Sequence, residues 1–251
     1  MDPDKYPLHK AIQLGKIAEV DSLLLAHPEL ANKPDDDERL PIHWAATTAG
    51  TTGSLDLLNK LSQAQGKKFD IDAVDSLGWS ILHIGASLGE KPGGEEVVTW
   101  AIARGGDVSL KNNNGQTPLH LAASKSALET ARLLLAAGAK AAVKDKTQQA
   151  LPLHRASAVG SMPMVNLLLE HKSPVNATDV DGWTSLHHAV AEGNADIAVA
   201  LLKAGADATK EDPEKTTPLD LAPDRKVLKY IQDAAKAEGI ELPEPKKLPK
   251  W

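Results

Sequence analysis

The sequence predicts an all-α solenoid of seven helix-turn-helix repeats, and three observations support this prediction. The 251 residues are 42% hydrophobic and 25% charged, which is typical of a folded chain. Aromatic residues make up only 3%, and Ala and Leu dominate the apolar set, which favours closely packed helices over strands. A short motif recurs at regular intervals, and such a period indicates a stack of small repeats, each covering its neighbour's apolar face.

The motif has the pattern Pro-Leu-His or a close variant. Its copies are Pro7-Leu8-His9, Pro41-Ile42-His43, Ile81-Leu82-His83, Pro118-Leu119-His120, Pro152-Leu153-His154, Ser185-Leu186-His187 and Pro218-Leu219-Asp220. Consecutive copies end 34, 40, 37, 34, 33 and 33 residues apart. This spacing, with Thr-Pro-Leu-His opening a helix, resembles the ankyrin repeat.

The resemblance implies an ankyrin-repeat solenoid with β-turn fingers between its helix pairs. One domain is expected over residues 1–235, followed by a Pro/Lys-rich tail at 236–251. The expected repeats are about 3–36, 37–74, 75–112, 113–146, 147–179, 180–212 and 213–235.

The elements of one repeat are clearest in residues 113–146. The Asn-Gly pair at 114–115 indicates a tight turn, while Thr117 and Pro118 are typical of a helix N-cap and first helical position. The second helix is expected over about 127–137, with one apolar face and a terminal glycine.

The second and third repeats are longer than the others, since their motif copies lie 40 and 37 residues from the next one. Residues 47–53 are expected to lengthen the turn between the helices of the second repeat, and 65–68 its exit. Residues 89–94 expand the third repeat. Two interpretations of these expansions stay open, namely tolerated surface insertion and contact with a partner.

Six of the nine histidines close the motif, where an imidazole bridges the turn backbone to the helix start. We expect these to be structural, because successive copies lie a whole repeat apart and no metal site is expected from them. The sequence has no cysteine, which excludes disulfides, thiolate zinc sites and a cysteine nucleophile, and fits a reducing compartment.

Several function classes are disfavoured. No phosphate-binding loop or nucleophile elbow occurs, and the acidic run at 35–38 lacks the ligand spacing of a calcium loop, so no enzyme, cofactor or metal is expected. The net charge of −6 argues against nucleic acid. No apolar run approaches about twenty residues, and the first ten carry no secretory signal. A monomeric cytoplasmic and nuclear protein that binds another protein is expected.

The candidate binding surface is what stacking leaves free, namely the finger tips and the exposed sides of the short first helices. The residues expected to contact a partner are Asp37, Arg39, Trp44, Trp79, Ser87, Lys125, Arg155, Trp183, His188 and Glu192. Ile84 is assigned to the same surface. Exposed tryptophans in a groove are typical of binding hot spots, and packing against the adjacent turn is the alternative for Trp79 and Trp183. Trp100 is expected in the core.

A narrower resemblance lies at these same positions. Residues 39–44, 75–79, 119–125, 153–156 and 189–193 have the sequences RLPIHW, DSLGW, LHLAASK, LHRA and AVAEG. These segments are similar to those of the gankyrin family, particularly in its fungal form. A retinoblastoma-binding Leu-x-Cys-x-Glu motif of that family is not matched, since His188, Val190 and Glu192 stand there.

The gankyrin resemblance implies an assembly chaperone of the proteasome regulatory particle. Such a protein clasps the C-terminal domain of one base AAA ATPase subunit in its concave face and hinders premature docking on the core particle. Arg39 and Lys125 would then meet acidic side chains, and Glu192 a basic one. The alternative is a generic ankyrin adaptor, such as a ubiquitin-ligase substrate receptor or a kinase regulator.

The distribution of charge also favours a polar arrangement of the partner. Residues 1–110 hold 17 acidic and 10 basic side chains, whereas residues 111–251 hold 17 and 18. The acidic amino-terminal half therefore suits a basic partner segment.

Overall fold

The computed structural model describes residues 5–246, and within this range it contains helices and turns but no β-strand. The predicted all-α class is thereby confirmed. The thirteen α-helices of the described residues are α1 (Pro7–Gln13), α2 (Ile17–Ala26), α3 (Pro41–Thr52), α4 (Asp56–Gln65), α5 (Ile81–Ser87), α6 (Gly94–Ile102), α7 (Pro118–Ser124), α8 (Leu128–Ala136), α9 (Pro152–Val159), α10 (Met162–Glu170), α11 (Ser185–Ala191), α12 (Ala195–Lys203) and α13 (Arg225–Ala237). Three 3-10 helices in the same range of residues cover Pro28–Asn32, Gly66–Lys68 and Pro218–Leu221.

The helices follow the motif copies in seven successive pairs, as predicted. Each first helix starts at the motif, and five of the seven begin with proline, whose missing N–H group costs nothing at a first helical position. In the last pair the first helix is the 3-10 turn Pro218–Leu221, not an α-helix. Pro223 explains this, because a proline disfavours α conformation at the residue before it.

One compact unit comprises Met1–Asn113 together with Glu129–Ala139. In it, α1 packs against α2 and α3, α3 packs against α4 and α5, and α5 packs against α6. Ile12, Ile42, Leu58 and Leu82 are almost completely buried, and Ala45, Ala46 and Ala86 let the helices approach closely. Trp100 is buried as predicted.

The two expansions of this unit pack on each other. Residues 47–52 do not lengthen a turn, as the sequence led us to expect, but extend α3 to twelve residues. The expectation is wrong because the added turn is held by tertiary packing, with Gly50 against Leu88 and Gly93 against the carbonyl oxygen of Ala49. A side chain at either glycine would clash with these neighbours.

The second compact unit comprises Asn114–Leu128 and Lys140–Trp251. Here α9 packs against α7, α10 and α11, while α11 packs against α12 and the 3-10 turn Pro218–Leu221. The last helix, α13, covers α12 and buries Leu228, Ile231 and Ala235. Its other side is polar, so it closes the stack with a solvated face.

The predicted tail begins within α13, which continues to Ala237, and residues 240–246 are not helical. The backbone N–H of Lys246 donates to Asp220. Trp251, the residue at which the predicted tail ends, lies outside the described residues. None of the helices between residues 5 and 246 has the length and apolar character needed to cross a bilayer.

Candidate protein-binding surfaces

The turns before the short helices form fingers that begin with an acidic residue. Five fingers are defined here as residues 35–39, 75–79, 145–150, 179–183 and 212–216. In each, the N–H of the first residue donates to the carbonyl of the last, at distances of 2.9 to 3.1 Å. The finger is therefore a closed loop whose first side chain points back into it.

That first side chain is an aspartate in all five fingers, and its carboxylate organises the turn. Oδ1 of Asp75, for example, accepts backbone N–H bonds from Leu77 and Trp79, both at 2.9 Å. The side chains of Asp75 and Asp145 are 1% and 0% exposed. Because a buried charge without a partner is costly, the second carboxylate oxygen of each needs a further donor.

In the first unit, two of the predicted contact residues donate hydrogen bonds to the second carboxylate oxygen of a finger aspartate. The indole Nε1 of Trp44 donates to Asp35 Oδ2 at 2.8 Å, and Arg39 Nε donates to Asp75 Oδ2 at 3.0 Å. The guanidinium of Arg39 lies 5.6 Å from the Trp44 ring centroid. Asp35, Trp44, Arg39 and Asp75 thus form one connected network across two fingers.

The second unit repeats this arrangement with different donors. Arg155 donates to Asp145 Oδ2 at 2.8 Å, and His188 Nε2 donates to Asp179 Oδ2 at 2.7 Å. Trp183 Nε1 donates to Asp212 Oδ2 at 3.1 Å. The donors of both units are hereafter called the finger-carboxylate donors: Arg39, Trp44, Arg155, Trp183 and His188.

Hydrogen bonds from these donors counteract the effect of burial on the pKa of the acids they contact. Burial raises the pKa of Asp179, but the hydrogen bonds from His188 and from the Trp183 backbone outweigh it and leave that pKa below its usual range. Asp212 behaves alike, since hydrogen bonds from the Thr216 backbone and the Trp183 indole outweigh burial and lower its pKa. Both acids therefore stay ionised inside the fold.

Sequence reasoning missed this role of the finger-carboxylate donors, although a signal was present. An aspartate stands eight residues before the motif histidine at Asp35, Asp75 and Asp179, and the donors occupy only two positions relative to that histidine. Trp44, Arg155 and His188 directly follow it, while Arg39 and Trp183 precede it by four residues. Every donor is a residue type with an N–H group in its side chain.

The other predicted contact residues are placed differently. The side chains of Asp37, Lys125 and Glu192 are exposed and make no ion pair with another described residue. Trp79 is half-buried beside His83, with ring centroids 6.3 Å apart. These four residues lie where a partner could reach them.

Ser87 and Ile84 are less available than predicted. Ser87 Oγ donates to the Ile84 carbonyl at 2.8 Å and is only half-exposed. The assignment of Ile84 to the free surface is wrong, because the side chain is 5% exposed and packs into the core of the first unit.

Backbone hydrogen bonds join neighbouring fingers near their tips. Ser76 N donates to Asp37 O at 2.9 Å in the first unit, and Val180 N donates to Gln148 O at 2.8 Å in the second. Beside these bonds stand two apolar side chains that sequence reasoning did not select, Leu77 and Val180, which are 58% and 56% exposed. In each unit, neighbouring finger tips are therefore hydrogen-bonded to each other and carry an exposed apolar side chain.

The motif histidines have the structural role that was predicted. In His120, Nδ1 accepts from the Thr117 N–H at 3.1 Å, and Nε2 donates to the Ala150 carbonyl at 3.2 Å. This pattern needs the neutral Nε2–H tautomer, and burial lowers the pKa of His120 to about 4. Burial and the neighbouring His188 likewise lower the pKa of His154 to about 4.

Comparisons with known proteins agree with the architecture. The family described as ankyrin repeats (3 copies) matches residues 47–145 and 142–212. The solved structure of the ankyrin repeat domain of Bcl-3 superposes with a TM-score of 0.69 at 26% identity, covering 90% of this chain and 97% of that domain. The predicted ankyrin-repeat fold is confirmed.

Two fungal relatives match almost end to end. The chain is 37% identical over 230 residues to the probable 26S proteasome regulatory subunit p28 of Saccharomyces cerevisiae, which covers 90% of this chain and 97% of the yeast protein. It is 35% identical over 224 residues to an ankyrin repeat-containing protein of Schizosaccharomyces pombe, covering 89% and 92%.

Proposed function

Because the chain belongs to the ankyrin-repeat family and, within it, to the gankyrin family in its fungal form, we propose that it is an assembly chaperone of the proteasome regulatory particle. Its partner is the C-terminal domain of one base AAA ATPase subunit. The protein acts as a monomer in the cytoplasm and nucleus, and it binds without a cofactor.

The observation that carries the proposal is the extent of the likeness to the yeast proteasome regulatory subunit. The match spans 97% of that protein, so it includes the end repeats and is not limited to the repeat consensus that all ankyrin proteins share. Ankyrin repeats are protein-interaction modules that present extended binding surfaces.

The exposed finger residues supply the chemistry for such a contact. Asp37, Lys125 and Glu192 give charges of both signs, and Leu77 and Val180 give apolar area. Charged rims set the orientation and rate of association, whereas apolar groups supply most of the binding free energy. The mechanism is steric, since a bound repeat domain blocks the approach of the ATPase to the core particle.

Arg39 has a structural role in this proposal, whereas the family resemblance implies that it contacts the partner. Its side chain is 28% exposed, and its Nε is committed to Asp75. Any contact it makes with an ATPase carboxylate uses the remaining nitrogens while the internal ion pair stays intact. Lys125, which makes no ion pair with another described residue, is the better candidate for a charge-dependent contact.

The experiment is affinity purification of the tagged full-length protein from fungal cells, with base ATPase subunits measured by mass spectrometry. We expect strong enrichment of one such subunit with the wild type. The variant Lys125→Glu/Glu192→Lys should lose it, because two contact charges are inverted while the net charge is unchanged.

The matched control is Lys229→Glu/Asp233→Lys, an equally charge-neutral exchange on the exposed side of α13. It should recover the same ATPase subunit as the wild type. Recovery of another complex, such as a ubiquitin ligase or a kinase, without base ATPases would instead support the generic adaptor.

A further inference from the structure

Trp79 occupies the same place in its finger as Arg39 and Trp183, four residues before the motif histidine. Arg39 and Trp183 each donate a side-chain hydrogen bond to the aspartate that begins the next finger. The backbone N–H of Trp79 donates to Asp75, and its half-buried ring lies beside His83. Its indole N–H, however, donates to no other described residue.

The sequence explains why this indole lacks an internal acceptor. Asn112 stands eight residues before His120, the place that an aspartate takes before three other motif histidines. A Cβ on Gly78 would lie 3.1 Å from the Cα of Asn112, so this residue lies against the finger that holds Trp79. A carboxylate has two acceptor oxygens, whereas an amide has one, and its nitrogen donates. The second acceptor oxygen that the other two donors contact is therefore missing at this position.

An exposed apolar side chain accompanies the indole. Leu77 lies two residues before Trp79 in the same finger and is 58% exposed. The residues at the same two finger positions in the second unit, Asp181 and Trp183, line a single groove. By this correspondence Leu77 and Trp79 face one space, in which a ligand meets an apolar surface and an N–H donor together.

Exposed acidic side chains lie beside this pair. The carbonyl of Asp37 accepts from the N–H of Ser76 at 2.9 Å, so the tips of the two fingers are adjacent. Asp37 and Glu38 are exposed and form no ion pair with another described residue, while Arg39 in the same finger is already paired with a buried aspartate. These acids would repel a partner carboxylate. The acceptor that suits the indole is therefore a neutral carbonyl oxygen with a cation close by.

The C-terminal end of an α-helix has this combination of groups. Its last four carbonyl groups have no acceptor role within the helix, and lysine and arginine are favoured in its last turn. We propose that the partner places the C-terminal end of one of its helices against the finger 75–79. A last-turn carbonyl accepts from Trp79 Nε1, a basic side chain pairs with Asp37 or Glu38, and an apolar side chain covers Leu77. This inference rests on the proposed function for the partner's identity and adds the element of the partner that binds.

The first measurement is the melting temperature of the free protein. Trp79→Phe removes the indole N–H and should leave the melting temperature unchanged, because no described residue accepts from it. Asn112→Asp supplies the missing carboxylate oxygen. In that background Trp79→Phe should lower the melting temperature by about 2–4 °C, since it takes the donor away from a buried acid. An equal loss in both backgrounds would overturn the inference, because the indole would then have an internal partner.

The second measurement is the dissociation constant for purified proteasome base. Trp79→Phe should weaken the complex by about three- to tenfold, the usual contribution of one hydrogen bond. Asn112→Asp should weaken it similarly, because the new carboxylate engages the indole, and the double variant should be no weaker than either single one. Asp37→Asn/Glu38→Gln should weaken the complex and make its affinity less sensitive to salt.

The control is Lys229→Glu/Asp233→Lys on α13, which should bind like the wild type. Unchanged affinity in Trp79→Phe, or tighter binding by Asn112→Asp, would refute the contact with a helix end while the wild-type complex still supports the proposed function. A wild-type protein that does not bind the base would instead refute the proposed function, and the inference about its partner with it. The two failures are therefore distinguished by the wild-type measurement.

Discussion

Arg39 Nε donates to Asp75 Oδ2 at 3.0 Å, and this bond joins the end of one finger to the start of the next. The acid is 1% exposed, whereas the base is 28% exposed. An arginine that looks like a partner contact in the sequence is therefore first a counterion for a buried carboxylate. The same holds for Arg155 and Asp145 in the second unit.

Replacing Arg39 by methionine should lower the free energy of unfolding by about 2 kcal/mol, because Asp75 is left buried without its counterion. Urea denaturation at pH 7 measures this. The matched control Lys125→Met removes a surface charge that forms no ion pair with another described residue, and it should cost less than about 0.5 kcal/mol. Equal stabilities of the two variants would show that Arg39 is not structural.

The tryptophan donors give a second prediction. Trp183→Phe keeps most of the ring but removes the hydrogen bond to Asp212, so we expect a loss of about 1–2 kcal/mol in the free energy of unfolding. Tyr230→Phe, which removes a hydroxyl from an exposed ring, is the control and should be neutral. The account fails here if Trp183→Phe is as stable as the wild type.

Stability should fall on acidification between about pH 6.5 and 4. Burial lowers the pKa of His120 and of His154 to about 4, so the unfolded chain binds more protons than the folded one within this window. The free energy of unfolding therefore decreases as the pH falls, by up to about 1.4 kcal/mol per pH unit for each such histidine.

Urea titrations at several pH values check this dependence. In His120→Gln the free energy of unfolding should depend less steeply on pH, because the difference in bound protons between the unfolded and folded states is smaller by up to one. If the free energy of unfolding did not change with pH across this window, burial would not disfavour the charged forms of His120 and His154, and the prediction would be wrong.

Gly93 gives a prediction about the paired expansions. An added Cβ would lie 2.0 Å from the carbonyl oxygen of Ala49, so Gly93→Ala should displace the end of α3 and cost several kcal/mol, on the order of 3. Gly105→Ala is the control, because Gly105 also has a positive φ but its Cβ would meet nothing within 4 Å. Comparable melting temperatures for the two variants would refute the tight contact.

The motif positions sufficed to predict the seven helix pairs and the structural histidines, because both depend on local spacing. The extension of α3 was not predictable locally, since residues 47–53 are rich in Thr and Gly, which are poor helix formers. Packing of Gly50 against Leu88 overrides that propensity. For the same reason, the sequence marks Arg39 as a partner contact and leaves Trp183 open between the groove and the adjacent turn, while long-range bonds to Asp75 and Asp212 engage both side chains.

The candidate surfaces accordingly divide into residues that maintain the fingers and residues that remain free to bind. The finger-carboxylate donors belong to the first group, and Asp37, Lys125 and Glu192 to the second. Variants of the first group should lose stability, whereas variants of the second should lose binding alone. Both quantities must therefore be measured on each variant.

The most direct test is the dissociation constant of Lys125→Glu/Glu192→Lys for purified proteasome base, determined together with its melting temperature. We predict at least a tenfold weaker complex than the wild type, at an unchanged melting temperature. An unchanged dissociation constant would contradict the account, since the exposed charges of the fingers would then take no part in binding.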